Sequence, residues 1–365
     1  MRINSLHIEN FRAIELLSIQ DLEKVVLIVG KNGVGKSCIF DAIRLLKSSY
    51  GGYNPNEWQN WFNEFQLKVR GNEFSIDKIL RNKKTPLKIG ATFNLDQREI
   101  SFLEQDGEKL IQTMLWRHYT KNPQLDIDEF TSAFAENNRM YADRVRQETA
   151  QHLSQLKAEL NKNQLKAEVV FPPNGEPNVE ENIVLELIFN TFLPDRLGII
   201  DYHGAHRDYK KENISNLNVR FEENSDQYKG HTLYNYANKY NNVKNELASS
   251  YVKALIARES GQEVEAIDSL NNSLSELFTQ FFPGKSFKGI VPGKDGKLTF
   301  PVELASGQSH DIGELSSGEK EVLFGYVRLR NQAPKNSIIL IDEPELHLNP
   351  DLAKNLPEFY RKTIG

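Results

Sequence analysis

Gly30-Lys31-Asn32-Gly33-Val34-Gly35-Lys36-Ser37 matches G-x-x-x-x-G-K-[ST] at each fixed position. Glycines at 30, 33 and 35 let the backbone turn its N–H groups inward, and a helix starting there aims its positive end at an anion. The expected chemistry is phosphate binding. Backbone groups of Asn32, Gly33, Val34, Gly35, Lys36, Ser37 and Cys38 would cradle the phosphates, Lys36 would reach the β- and γ-phosphates, and the Ser37 hydroxyl would ligate Mg2+. A glycine-rich turn with an incidental lysine shares this composition but lacks the strand before and the helix after. Far downstream, Ser337–Ile341 reads as a buried strand delivering Asp342 and Glu343 at its carboxyl end, where α/β sheets place ligands. Asp342 would hold Mg2+, directly or through water, and Glu343 would act as the base on an attacking water. Taken alone, such an acidic pair is also an ordinary solvated turn. Between the two lies Leu315-Ser316-Ser317-Gly318-Glu319, whose Ser-Ser-Gly-Glu is at least a helix cap with a glutamate behind it.

The elements that must position these residues follow from periodicity. Residues 2–8 alternate apolar and polar, 14–19 form a second extended candidate, and Val25–Val29 is a continuous apolar run read as a buried strand entering the loop. Ile39, Phe40, Ala42, Ile43, Leu45 and Leu46 then recur at helical spacing. Residues 87–95, 99–103 and 109–116 are further strand candidates, with turns at Asp96-Gln97 and Gln105-Asp106-Gly107. From 127 to 167 the chain reads as long polar helix with a thin stripe of Leu153, Leu156 and Leu160, the pattern of a projecting arm. A core strand is expected at 196–202, a second helical stretch at 233–282, a hairpin at 286–304 and a helix from 319 to 331. The expected organisation is a first lobe over 1–120, helical insertions over 121–285 and a second lobe over 286–365, C-terminally incomplete.

Composition limits the function classes. The chain has 365 residues, 39% hydrophobic and 26% charged, an ordinary globular balance. It holds no apolar run near the roughly 20 residues of a membrane span. A formal net charge of −5 confines any nucleic-acid contact to a local patch. One cysteine, Cys38, precludes an internal disulfide, and the start lacks a signal-peptide pattern, so a cytoplasmic protein without membrane attachment is expected.

Leu315–Lys320 resembles the signature motif of ABC-type ATPases, and Asp342-Glu343-Pro344-Glu345-Leu346-His347-Leu348-Asn349-Pro350 resembles their Walker B segment and D-loop. With Asn10-Phe11-Arg12 near the start and a helical insertion, the chain resembles the OLD-type and RecF-like group, relatives of the SMC ATPases. The resemblance implies an α/β fold: an ABC-type P-loop head with a mixed sheet and an inserted helical arm. It implies ATP and Mg2+ as cofactors and hydrolysis at an interface between two copies. Ser316 and the Gly318 amide of one copy would contact the γ-phosphate held by Lys36 of the other, and Arg12 would lie near the nucleotide. Lys36 and Glu343 are the catalytic candidates. A homodimer or higher oligomer is implied, acting on DNA through a nuclease or other effector. In OLD proteins that effector is a C-terminal Toprim nuclease, here expected beyond Gly365 or on a partner. An SMC- or RecF-like DNA clamp without nuclease is the alternative; a transporter subunit fits the insertion and tail less well.

Among the departures from the family pattern, two matter most. No switch histidine follows the Walker B segment, and Gln66, Gln97 and Gln105 all lie in plausible connections, so none is assigned as the Q-loop glutamine. Ser317 replaces the glycine of many relatives, and Asn349 stands at the aspartate position of transporter D-loops. His347 reads as packing, as does the Cys38 side chain. Asp201, His203, His206 and Asp208 form a metal-capable run without a glutamate or second cluster, more in keeping with a polar turn. Beside them Arg207, at a strand end, is placed to approach phosphate or an interface. The lysine-rich stretches 81–84 and 285–297 read as solvated loops that could touch a nucleic-acid backbone.

Overall fold

The computed structural model describes residues 1–54, 57–65, 67, 69–70, 73–74, 76–122, 138–162, 164–173, 176–207, 233, 243–260, 274–292, 298–332, 336–346, 348 and 350–364. Two compact units emerge, each discontinuous in sequence. The first comprises Met1–Tyr202, Ser225–Tyr234 and Pro334–Leu340; the second comprises His203–Asn224, Asn235–Ala333 and Ile341–Gly365.

Unit one contains β1 (Arg2–Phe11), β2 (Ile14–Ile19), α1 (Lys36–Tyr50), α2 (Glu57–Glu64), the short pair β3 (Val69–Arg70) and β4 (Glu73–Phe74), and β5 (Leu87–Asn94). It continues with α3 (Gln97–Thr120), α4 (Arg139–Leu160), β6 (Leu165–Phe171), β7 (Asn178–Val179) and α5 (Ile183–Asn190). The sheet runs β2-β1-β5-β6-β7 with antiparallel neighbours. Alternate residues of β5 and β6 (Leu87, Ile89, Ala91, Phe93, and Leu165, Ala167, Val169, Phe171) are buried, as a half-covered antiparallel sheet requires. Ala42, Leu45 and Leu46 of α1 share that core with Val184, Leu185 and Ile188 of α5.

Three expectations are corrected here. The segments 99–103 and 109–116 are not strands but parts of α3. Asp96 and Glu99 form a reciprocal capping box, the Glu99 N–H donating to Asp96 Oδ1 (2.9 Å) and the Asp96 N–H to Glu99 Oε2 (3.0 Å). Gly107, expected in a turn, lies inside that helix. A Cβ there would collide with Leu156 Cδ2, so the glycine permits α4 to pass close by. Secondly, α4 packs into the core through Leu156, with Leu153 and Leu160 partly buried, and the helix ends before β6, which occupies 165–171. Thirdly, among the described residues Val25–Val29 joins no strand ladder; Val25, Leu27 and Val29 are exposed and Ile28 packs against the core. An apolar run becomes a buried strand only where neighbours supply both a ladder and a covering layer.

The chain then forms β8 (Ile200–His203), α6 (Val243–Glu259), β9 (Lys285–Phe287), β10 (Val291–Pro292), β11 (Leu298–Thr299), β12 (Pro301–Leu304), β13 (Ser309–Asp311), α7 (Ser317–Gln332), β14 (Ile338–Ile341) and α8 (Pro350–Ile364). The hairpin expected at 286–304 is nested: β10 pairs with β11 inside the pairing of β9 with β12, while its turn at 293–297 lies outside the described residues. β14 pairs with β8. The core of unit two gathers Phe278, Phe281 and Phe282 with Phe300, Val302, Leu323 and Val327. No described helix is long and apolar enough to cross a membrane. The mixed α/β class expected for an ATPase head is the class observed.

Candidate nucleotide site

In unit one the phosphate loop ends in a helix N-terminus that no side chain among the described residues caps. Gly35 is the N-cap of α1 at φ 103°, and Gly33 has φ 83°. Both values lie in the region that favours glycine. A Cβ at Gly35 would also meet Ala13 Cβ at 3.2 Å and Ile14 Cγ1 at 3.3 Å, so the β1–β2 turn braces the loop. Lys36 Nζ donates to the carbonyls of Gly30 (2.9 Å) and Lys31 (3.2 Å), folding over its own loop. Asn32 and Val34 are exposed, Ser37 is half-buried, and the Cys38 side chain is packed in the core. The first-turn N–H groups of α1 are thus left for an anion, with a cation beside them.

Behind the loop α1 carries an ionic network, centred on a buried arginine, that the sequence did not disclose. Arg44 is fully buried; its Nη1 and Nη2 donate to Glu64 (3.0 and 2.5 Å), its Nη1 to Asp41 Oδ1 (3.1 Å) and its Nε to the Leu233 carbonyl (2.7 Å). Its guanidinium also lies 4.2 Å from the Tyr202 ring centroid. Burial pushes the Asp41 carboxyl up to about 6 despite the opposing pull of Arg44 and Arg12. One turn on, buried Lys47 pairs with Glu57, and burial pushes its ammonium down to about 8.

Arg12, expected near the nucleotide, has its Nη1 2.5 Å from Asp41 Oδ2 and its guanidinium 5.1 Å from the Phe65 ring. Its partner is helix α1 itself. Asn10, at φ 60°, donates to the carbonyls of Asn82 (2.9 Å) and Thr85 (2.8 Å) and accepts from the Asn82 N–H (2.6 Å), clasping the basic loop 81–84. Phe11 between them is buried.

In unit two the Ser316 N–H and hydroxyl both donate to Glu319 Oε2 (3.0 and 2.9 Å), and the Glu319 N–H returns to Ser316 Oγ (3.4 Å). The helix-cap reading of this segment is therefore real. Lys285 Nζ holds the other Glu319 oxygen at 2.7 Å. Burial raises the Glu319 carboxyl, but the hydrogen bonds from Lys285 and Ser316 outweigh it and hold the group below the usual range. Ser316 is exposed, while Leu315 and the Gly318 backbone are buried.

At the end of β14, Asp342 is buried and its N–H donates to the His203 carbonyl of β8 (2.8 Å). Glu343 is exposed and adopts φ 46°, a left-handed conformation for a residue with a side chain. Arg207 holds this turn by its backbone. Nη1 donates to the Asp342 carbonyl (2.8 Å), Nη2 to the Glu343 carbonyl (2.7 Å), and Nε stands 2.5 Å from Glu321 of α7. Arg207 is thus bound within its own chain. Glu321 had no sequence signal, because its partner is more than a hundred residues away. Among the described residues, no three of His, Cys, Asp and Glu assemble as a metal group. Asp201 and His203 are buried on β8, and Asp208, His347 and Asn349 lie outside the described residues, as does Gln66; Gln97 and Gln105 lie on α3.

A family model described as an AAA ATPase domain, AAA_15, matches residues 1–365. The chain belongs to that AAA ATPase family. It is accordingly an ATPase domain, a nucleotide-using P-loop protein. An uncharacterized protein of Methanocaldococcus jannaschii, MJECL10, is 34% identical to this AAA ATPase over 70 residues, 17% of this chain and 32% of the relative. The match thus spans about a third of that relative's length. The structure of the Smc head domain of Pyrococcus furiosus, with an extended coiled coil bound to the C-terminal domain of ScpA, aligns over 99% of this chain and 87% of its own at 14% identity. The TM-score of that alignment is 0.43.

Proposed function

We propose that the chain is an ATP-hydrolysing head that pairs head to tail with a second copy and gates a DNA-directed effector, a Toprim-type nuclease in cis or a partner in trans, in antiphage defence or DNA repair as the OLD-type resemblance implies. The carrying observation is the uncapped N-terminus of α1 with Lys36 folded over it, which supports triphosphate binding. The exposed Ser316 at the start of α7 supports a role toward a phosphate supplied by a second copy. Ser37 and Asp342 offer hard oxygen ligands of the kind Mg2+ takes alongside substrate phosphates and water. When bound, Mg2+ neutralises phosphate charge.

In this reading the Glu343 carboxylate orients a water and takes its proton as the water oxygen bonds to the γ-phosphorus. The bond from that phosphorus to the bridging oxygen breaks, and ADP and inorganic phosphate leave. Lys36 follows the charge on the β- and γ-phosphates. Lys36→Ala is expected to abolish binding of a fluorescent ATP analogue. Glu343→Gln is expected to retain that binding and to accumulate paired chains in light scattering, with turnover lowered at least about a hundredfold, in the range that loss of a general base produces. Parental turnover in Glu343→Gln would show that another group is the base.

A further inference from the structure

Arg207 joins three parts of unit two through one side chain that is 3% exposed. Its Nη1 binds the carbonyls of Gly204 (2.7 Å) and Asp342 (2.8 Å), its Nη2 binds the carbonyl of Glu343 (2.7 Å), and its Nε pairs with Glu321 (2.5 Å). Glu321 is itself buried and stands on α7 two residues beyond Glu319, whose carboxylate holds the Ser316 N–H and hydroxyl. One guanidinium and one carboxylate therefore connect the first turns of α7 to the backbone of the Asp342-Glu343 turn. A planar fork suits this position, because it directs several N–H groups at once, whereas an ammonium presents a single point of charge.

The turn needs such support. The left-handed conformation of Glu343 is strained for a residue with a Cβ, and it persists only where the surroundings hold it. Among the described residues the holding contacts include the Asp342 N–H on the His203 carbonyl, the Leu346 N–H on the Glu343 carbonyl (3.0 Å) and the Arg207 bonds to the carbonyls of Asp342 and Glu343. Tyr360 of α8 closes the surroundings; burial, with the Glu321 charge nearby, raises its phenol, so it stays neutral beside the pair. A shift of α7 at its N-terminus would move Glu321, and with it the carbonyls that set where the Glu343 side chain points.

We propose that Arg207 and Glu321 form a strut relaying the state of the Ser316 end of α7 to the Glu343 turn of the same chain, so that capping a second copy's terminal phosphate adjusts a chain's own hydrolytic carboxylate. Arg207 is then a positioning residue, and the strut rests on the reading of Glu343 as base and Ser316 as phosphate contact. Full-length parent, Arg207→Lys, Glu321→Gln, Ser316→Ala and the Ser316→Ala/Glu321→Gln double variant are compared for analogue affinity, kcat, KM and melting midpoint. Arg207→Lys and Glu321→Gln are expected to keep affinity within about twofold and KM unchanged while kcat falls at least about tenfold, the pattern of a lost transition-state contribution. The double variant is expected to fall well short of the product of its two single losses, as for residues acting as a unit. If Arg207→Lys melts early, the isosteric Glu321→Gln carries the test. Unchanged kcat in Glu321→Gln, or losses that simply multiply in the double variant, overturns the relay. Affinity falling in step with kcat overturns it too, since that is general damage. Failure of the parent to bind or hydrolyse ATP refutes instead the function beneath it, and is seen before any variant is made.

Discussion

The N-termini of α1 and α7 treat an anion in opposite ways. At α1 a glycine in left-handed conformation stands at the cap, the first turn holds no acidic residue, and among the described residues no side chain caps its N–H groups. At α7 a carboxylate of the helix's own first turn already occupies Ser316, and Lys285 secures it. In the proposed reading, phosphate would add directly to the first terminus, but at the second it would have to displace Glu319. The difference teaches that equivalent helix dipoles need not be equivalent binding sites: the first is available by itself, and the second is conditional. Their anchors differ in the same sense. α1 is fastened by a network around the buried Arg44, and α7 carries the buried pair of Glu321 and Arg207.

The largest expected effect tests the α1 anchor. Arg44→Ala leaves Asp41 and Glu64 without their shared guanidinium and the Leu233 carbonyl without its donor, and is expected to cost about 3–5 kcal/mol in urea unfolding. A loss below about 1 kcal/mol, the level of an exposed pair, would show that the network does not fasten the helix.

A smaller effect follows from Asp41. Its folded value lies near 6 against an ordinary 3.8, so between those values the folded chain binds more protons than the unfolded one. Stability contributed at this site therefore falls as pH rises from about 4 to about 6 and levels off above. Melting midpoints of parent and Asp41→Asn, measured at intervals across that window, should separate in the variant's favour as pH rises. A constant difference would place the proton elsewhere.

The smallest effect bears on the conditional site. Glu319→Ala removes half of the capping box and is expected to cost about 1 kcal/mol of stability. It also frees the Ser316 groups, so ATP-driven pairing should tighten, as read by light scattering against chain concentration. Weaker pairing would mean that the carboxylate belongs to the binding surface, and the contrast between the two termini would fail.

Much of this was legible in the residues. The helix behind the glycine-rich loop, the β1–β2 pair and the strand ending just before Asp342 lie where spacing and periodicity put them. α3 carried a signal too: Asp96 followed by Glu99 is a capping-box pattern, and Leu103, Leu110 and Ile111 keep a helical period. Gly107, a turn-favouring residue inside the helix, masks that signal. The exposed run Val25–Val29 is a different case, since burial of an apolar strand depends on partners that its own composition does not specify.

By itself the sequence determined what is local: a glycine pattern that frees backbone N–H groups, a serine and glutamate that cap one helix turn, and an acidic pair after a β-branched strand. These depend on residues a few positions apart, whose geometry the backbone already dictates. Only the tertiary structure decided that Arg12 serves Asp41, that Arg44 fastens the phosphate-loop helix, and that Arg207 ties Glu321 to the carbonyls of Asp342 and Glu343. A buried charge must find its partner within about 3 Å, and the partner that folding brings there can stand anywhere in the chain.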